Sequence, residues 1–263
     1  MLNILVCVKQ VIDPECSVSS FKIDDLGQKV IPPQGTVPVL SPFDENALEA
    51  ALKIKDEQPT KITVLSMGPS LAKPVLLKAA AVGADEVILL EDPNFVNIDS
   101  FATAGVLAQA IKKINEYDVI CCGRQAADTD AGLVGPGIAE TLGIPLITLA
   151  QKIEARGDKL LVEQVTSDGY NVMEATLPVL ITVGNEVGEL RYPKTKDLLA
   201  AKKKKPLSWD AESLEVDAGA LAKIELVDMC IPNRKANCKM INGASPEEVG
   251  IKLAIQLKED EVI

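Results

Sequence analysis

The residues best suited to chemistry stand in one run, Gly123-Arg124-Gln125-Ala126-Ala127-Asp128-Thr129-Asp130-Ala131-Gly132-Leu133-Val134-Gly135-Pro136, directly after the apolar segment Val119 to Cys122. Glycines let a backbone approach a ligand closely, the amides that open a following helix suit a phosphate, and Arg124 adds a fixed positive charge. An ordinary glycine-rich strand-to-helix turn has the same composition, so the residues alone leave the two readings level. Asp128 and Asp130 could serve a ribose or a metal, but capping the next helix is the commoner role for either. Cys121-Cys122 invite a thiol-redox role, yet at the end of an apolar strand cysteine usually behaves as a small hydrophobe, and that reading is preferred. The 263-residue chain contains no histidine, which removes the usual general base and every Ser/His or Cys/His nucleophilic pair. No residue is therefore assigned as catalytic or as a metal ligand, and the chemistry is expected to belong to a cofactor.

Composition narrows the partners. A net charge of −11 disfavours nucleic acid, whose binding depends on cationic side chains, and the basic run Lys202 to Lys205 is too short to reverse that. One Trp, three Tyr and four Phe offer no platform for stacking bases. The apolar runs stop far short of the ~20 residues that span a bilayer. The first eight residues lack a basic lead-in and a cleavage site, so they read as a buried strand and not as a secretory signal. The six cysteines have neither zinc-site spacing nor the density of a disulfide scaffold, which fits reduced thiols in the cytoplasm.

The elements that must position the loop alternate. Strands are expected at Leu2 to Val8, Ile62 to Ser66, Val87 to Leu90 and Val119 to Cys122. Helices are expected after Ser41-Pro42, over Leu71 to Ala81 before Gly83, over Phe101 to Ile114 and around Ile138 to Leu142. Ser41 is read as a helix cap, and Asp44 with Glu45 as favourable first-turn charge. Phe21 to Ile31 reads as a small hairpin excursion. The pattern implies an α/β fold, a Rossmann-like, doubly wound parallel sheet. From Leu146 to Val183 it changes to what looks like an antiparallel addition. After Arg191 the order dissolves up to an amphipathic helix from about Pro246 to Leu257, so residues 1–190 are expected to form the nucleotide-binding domain and 191–263 an extended C-terminal arm lying on a partner.

In such a sheet ligands bind beyond the carboxyl ends of the strands. That rule gathers Cys7 to Gln10, Ser66-Met67-Gly68-Pro69, Gly123 to Pro136 and the helix start Ser41 to Asp44.

These segments together resemble the electron-transferring flavoprotein beta family over essentially the whole chain. The resemblance rests on Ile4-Leu5-Val6-Cys7-Val8-Lys9-Gln10-Val11, Ser41-Pro42-Phe43-Asp44, Ser66-Met67-Gly68-Pro69, Gly123-Arg124-Gln125-Ala126, Leu177-Pro178-Val179-Leu180-Ile181-Thr182, and Arg191-Tyr192 followed by Ala201 and the lysine run. It implies an adenine-nucleotide site formed by Cys7, Val8, Lys9, Ser41, Pro42, Phe43, Asp44, Met67, Gly68 and the stretch Gly123, Arg124, Gln125, Ala126, Ala127, Asp128, Thr129, Asp130, Ala131, Gly132, Leu133 and Val134. It also implies an obligate heterodimer with an alpha subunit. Housekeeping members hold AMP there as a structural ligand. Bifurcating members of anaerobes hold FAD, which takes hydride from NADH; one electron then passes to ferredoxin and the other to an acyl-CoA or enoyl-CoA dehydrogenase or reductase. Asp130 to Pro136 looks like the bifurcating type, with departures at Ala131, Gly132 and Leu133. The segment after Tyr192 resembles the family's recognition loop for its dehydrogenase partner, with Thr195 where many respiratory members carry a leucine. The rivals are the AMP-binding type and, in another class, a nucleotide-binding signalling module; the latter needs a glycine where Ala126 stands.

Overall fold

The structure, a computed structural model, describes residues 1–232 and 238–263. The first strand, β1 (Leu2–Cys7), sits near the middle of a nine-stranded sheet because both of its faces are apolar. Ile4 and Val6 enter the core on one side, Leu5 and Cys7 on the other, as the two-residue period of a strand requires. β2 (Thr60–Gly68) and β3 (Glu86–Glu91) follow on one flank, and β4 (Val119–Gly123) pairs with the other side of β1. These four strands run parallel, and the direction in which successive strands are added to the sheet reverses between β1 and β4.

The next strand, β5 (Leu146–Arg156), opens an antiparallel meander with β6 (Lys159–Thr166) and β7 (Gly169–Thr176). The antiparallel addition is thus present, but β8 (Val179–Val183) does not belong to it. It inserts between β4 and β5, parallel to both. Its five residues are all buried, which suits a central parallel strand and not a half-solvated antiparallel one.

Helices cover both faces. α1 (Pro42–Glu57) and α2 (Lys73–Val82) contribute to one apolar cluster, and α3 (Ser100–Ile114) and α4 (Val134–Leu142) to the other. Gly83, at φ 130°, ends α2 as expected. The excursion after β1 holds its small hairpin, Lys22–Ile23 against Val30–Ile31.

Order does not dissolve at Arg191. α5 (Thr195–Ala201) is followed by β9 (Leu207–Trp209), which adds a parallel edge strand beside β3, and by α6 (Ala218–Leu221). The compact unit runs from Met1 to Met229, beyond the expected boundary at 190. Long-range polar contacts hold this stretch where hydrophobic patterning was weak. Asp92 accepts the Ala211 amide at 3.0 Å, and Asp99 accepts the amides of Lys223 and Ile224 at 2.6 and 2.7 Å while also capping α3 through Ala102. Asp99→Ala is expected to cost about 2 kcal/mol, a cap plus orphaned amides, and to speed hydrogen exchange at residues 222–229 before the rest of the unit. Unchanged exchange there would show that the tether does not hold the segment.

Residues 230–263 form a separate unit. Its helix α7 (Pro246–Glu259) starts at Ser245, whose Oγ accepts the Glu248 amide, while the Glu248 carboxylate accepts the Ala244 amide at 2.7 Å. None of its residues is buried. No helix among the described residues is long and apolar enough to cross a membrane.

Candidate functional site

Reversal of strand order between β1 and β4 opens a crevice at their carboxyl ends, the place where open α/β sheets bind ligands. A cavity of about 240 Å³ at the opposite end, lined by Asn3, Lys61, Glu86 and Trp209, lies away from every segment the sequence gathered.

Asp44 is the centre of the crevice floor. Its Oδ2 accepts the Lys9 amide at 2.8 Å and its Oδ1 the Gly123 amide at 3.1 Å, so one buried carboxylate ties the ends of β1 and β4 to the first turn of α1. Burial pushes its carboxyl up to about 7, against the pull of the two amides and of the Lys9 ammonium and with a small push from Asp128. Asp44 is therefore more than the favourable helix-dipole charge expected of it. Ser41 also departs from its expected role: no helix amide reaches its side chain, and Oγ instead accepts the Ala127 amide at 3.3 Å. Both side chains face the Gly123 loop because α1 packs directly beneath β4, which no local rule could show.

The loop crosses the crevice mouth. Lys9 Nζ reaches Asp128 at 2.7 Å, Gln125 Nε2 donates to Asp130 at 2.7 Å, and the Arg124 amide donates to Val183 O at 2.8 Å. Neither Asp128 nor Asp130 caps α4, whose start at Leu133 has no side-chain cap. Asp130 and Gly132 take left-handed conformations, φ 51° and 64°, and turn the chain into that helix. Among the described residues, the amides of Gly132, Leu133 and Val134 find no backbone acceptor, which leaves donors free at the head of α4. The Arg124 guanidinium lies over the Phe43 ring, 5.0 Å from its centroid, with Nε 3.3 Å from Gln125 Oε1.

The structure thus brings together Cys7, Val8 and Lys9, Ser41 to Asp44, and Gly123 onward. Val8 is buried in the core and offers its backbone alone. Thr129, Ala131 and Leu133 are exposed on the loop, as is Pro42 on α1. Met67 and Gly68 stand one strand further along the rim, with no hydrogen bond to the loop among the described residues. Sequence reasoning missed two supports of that rim: Gln10 Oε1 accepts the Ala72 amide at 2.6 Å, and Glu91 Oε1 accepts the Leu71 amide at 3.0 Å. Gln10 was visible as part of the segment after β1, but its partner was not.

Thiol chemistry does not fit. Cys7 and Cys122 are register partners on neighbouring strands, and their mutual hydrogen bond, then burial, raises the Cys122 thiol well above its ordinary range. Burial raises Cys121 likewise. Neither supplies a thiolate near neutral pH.

The arrangement, free amides at a helix head and a guanidinium beside a switch-point crevice, is suited to a phosphate-bearing nucleotide. An electron transfer flavoprotein domain matches residues 30–214. Among similar proteins, the electron transfer flavoprotein subunit beta of Thermoanaerobacterium thermosaccharolyticum is 40% identical over 94% of this chain and 95% of its own length. That of Megasphaera elsdenii is 45% identical over 82% and 81%. The caffeyl-CoA reductase-Etf complex subunit CarD of Acetobacterium woodii is 36% identical over the full length of both. With fold, loop and similarity in agreement, the chain belongs to the electron transfer flavoprotein beta subunit family.

Proposed function

We propose that this chain works as the beta subunit of a bifurcating electron transfer flavoprotein, in a heterodimer with an alpha subunit in the cytoplasm. The observation that carries the reading is the crevice between β1 and β4, with free amides at the head of α4 and Arg124 at its edge. Similarity to a protein named as a subunit of a CoA-ester reductase complex adds support. FAD, once bound, would take the electron pair of NADH and release it singly, chemistry that belongs to the cofactor and not to acid–base side chains.

The chain's part is to bind and to orient. Arg124 and the amides of Gly132 to Val134 would receive the phosphates, the backbone of Cys7 to Lys9 and of Met67-Gly68 would border the adenosine, and Ser41, Phe43 and Asp44 would hold the loop that encloses it. In that reading one electron would pass to ferredoxin and the other through the alpha subunit to an acyl-CoA or enoyl-CoA dehydrogenase or reductase.

Docking of that reductase falls to the segment after Arg191. Tyr192 is 92% exposed and Leu199 58%, while Arg191 anchors their base to α1 through Glu49 and Asp56 at 2.9 and 2.8 Å. α7, with no buried residue, lies on the alpha subunit.

The test is to copurify the heterodimer, release nucleotides with acid and count them by chromatography. Two FAD and no AMP per heterodimer is the expected result. One FAD and one AMP would instead make the chain the AMP-binding subunit of a conventional carrier.

A further inference from the structure

We infer that Phe43 is a positioning residue whose ring holds Arg124 ready to grip the phosphate of an adenine nucleotide. The inference rests on the nucleotide reading above and goes beyond it, because it assigns to an aromatic side chain the orientation of the anion receptor.

Three of the four arginines lie among the described residues. Arg156 is paired with Glu154 at 2.9 Å, and Arg191 with both Glu49 and Asp56. Arg124 has no carboxylate partner among the described residues, although acids outnumber bases in this chain, 38 to 27. An unpaired, half-buried guanidinium at a ligand crevice is a receptor waiting for an anion.

Its placement is built. The Arg124 amide is bonded to Val183 O, which fixes the backbone at the end of the sheet. Its stem passes Gly184, where an added Cβ would lie 3.7 Å from Arg124 Cδ. Its guanidinium carbon stands over the Phe43 ring, 5.0 Å from the centroid, and its Nε is spent on Gln125. With the ring beside the guanidinium and Nε occupied, the terminal N–H edge remains, an edge that can meet two phosphate oxygens in parallel. Phe43 can hold this position because it is the second residue of α1, whose first turn is clamped to β1 and β4 through Asp44.

The test uses the heterodimer with its alpha subunit, stripped of bound nucleotide and titrated calorimetrically with AMP and with adenosine, which differ by the phosphate alone. Wild type is expected to prefer AMP by about tenfold or more. Arg124→Leu should erase the preference and leave adenosine affinity within about twofold, as expected of a contact made to the phosphate alone. Phe43→Leu keeps an apolar side chain but removes the π face; it should cut the preference about fivefold, and Phe43→Trp should restore it. Full preference retained in Phe43→Leu, or equal losses for AMP and adenosine in that variant, would overturn the positioning role while leaving the nucleotide site intact. Wild type that binds neither ligand would overturn the nucleotide reading, and this inference with it.

Discussion

Gly123→Ala is expected to be among the most damaging single-methyl additions in the chain, lowering stability by about 3 kcal/mol and stripping the nucleotide from the purified heterodimer. A Cβ at this position would collide with Asp44 Oδ1 and would stand 2.8 Å from the Phe43 carbonyl carbon and 2.9 Å from the Asp44 amide nitrogen. Two of those atoms are backbone of α1, so no rotamer change relieves the clash; the helix must move off β4. That shift would also break the bond between the Gly123 amide and Asp44, and would carry Phe43 away from Arg124. Gly250→Ala is the contrasting control. It lies inside α7 with nothing among the described residues within 4 Å, and there alanine should be neutral or stabilising by up to about 1 kcal/mol. Denaturant midpoints and nucleotide content check both variants. A Gly123→Ala heterodimer as stable and as loaded as wild type would mean that α1 and β4 are not in the contact described.

Asp44 should dominate the pH dependence of stability between pH 5 and 8. Its carboxyl titrates near 7 in the folded chain against an ordinary value of 3.8. The folded protein therefore keeps a proton that the unfolded chain has already released. Stability is full below about pH 4, falls as pH rises through that window and levels off above about 7, a total of about 4 kcal/mol. The signal is unusually clean because no histidine titrates in the same range. The charged groups that face Asp44 are Lys9 and Asp128, which are paired with each other. Asp44→Asn should flatten the curve at a constant cost of about 1–3 kcal/mol, since one of the two amides loses its acceptor. The variant is then less stable than wild type at pH 4, draws level with it between about pH 4.5 and 6, and is the more stable of the two by about 1–3 kcal/mol at pH 8. Parallel curves for the two proteins at fixed ionic strength would falsify the assignment.

Much of this protein was legible without coordinates, and the reason is local. β1 to β4 and the helices between them follow from apolar runs and periodic apolar faces, because a strand buried on both faces or a helix packed on one must write that burial into consecutive residues. α1 starts where Ser41-Pro42 said it would, and α2 stops at Gly83. The site's neighbourhood was legible for a related reason: in a doubly wound sheet the ends of strands are near in space wherever they fall in sequence.

What local signals could not supply was decided by contacts across the chain. β8 reads as the next strand after a meander, yet it inserts beside β4, because only there are both of its faces covered. Residues 191–229 carry little apolar pattern, and Asp92 and Asp99 hold them through backbone amides more than a hundred residues away. Ser41 and Asp44 carry the signature of a helix start, but their side chains serve other strands and loops, since a hydrogen bond goes to the nearest unpaired donor and packing determines which donor that is. By itself the sequence determined the alternating elements, the rim where they end and the family they resemble. Tertiary structure alone decided that the rim is knitted together by one buried carboxylate and that its arginine has no acid beside it among the described residues, because burial and pairing are properties of neighbours in space.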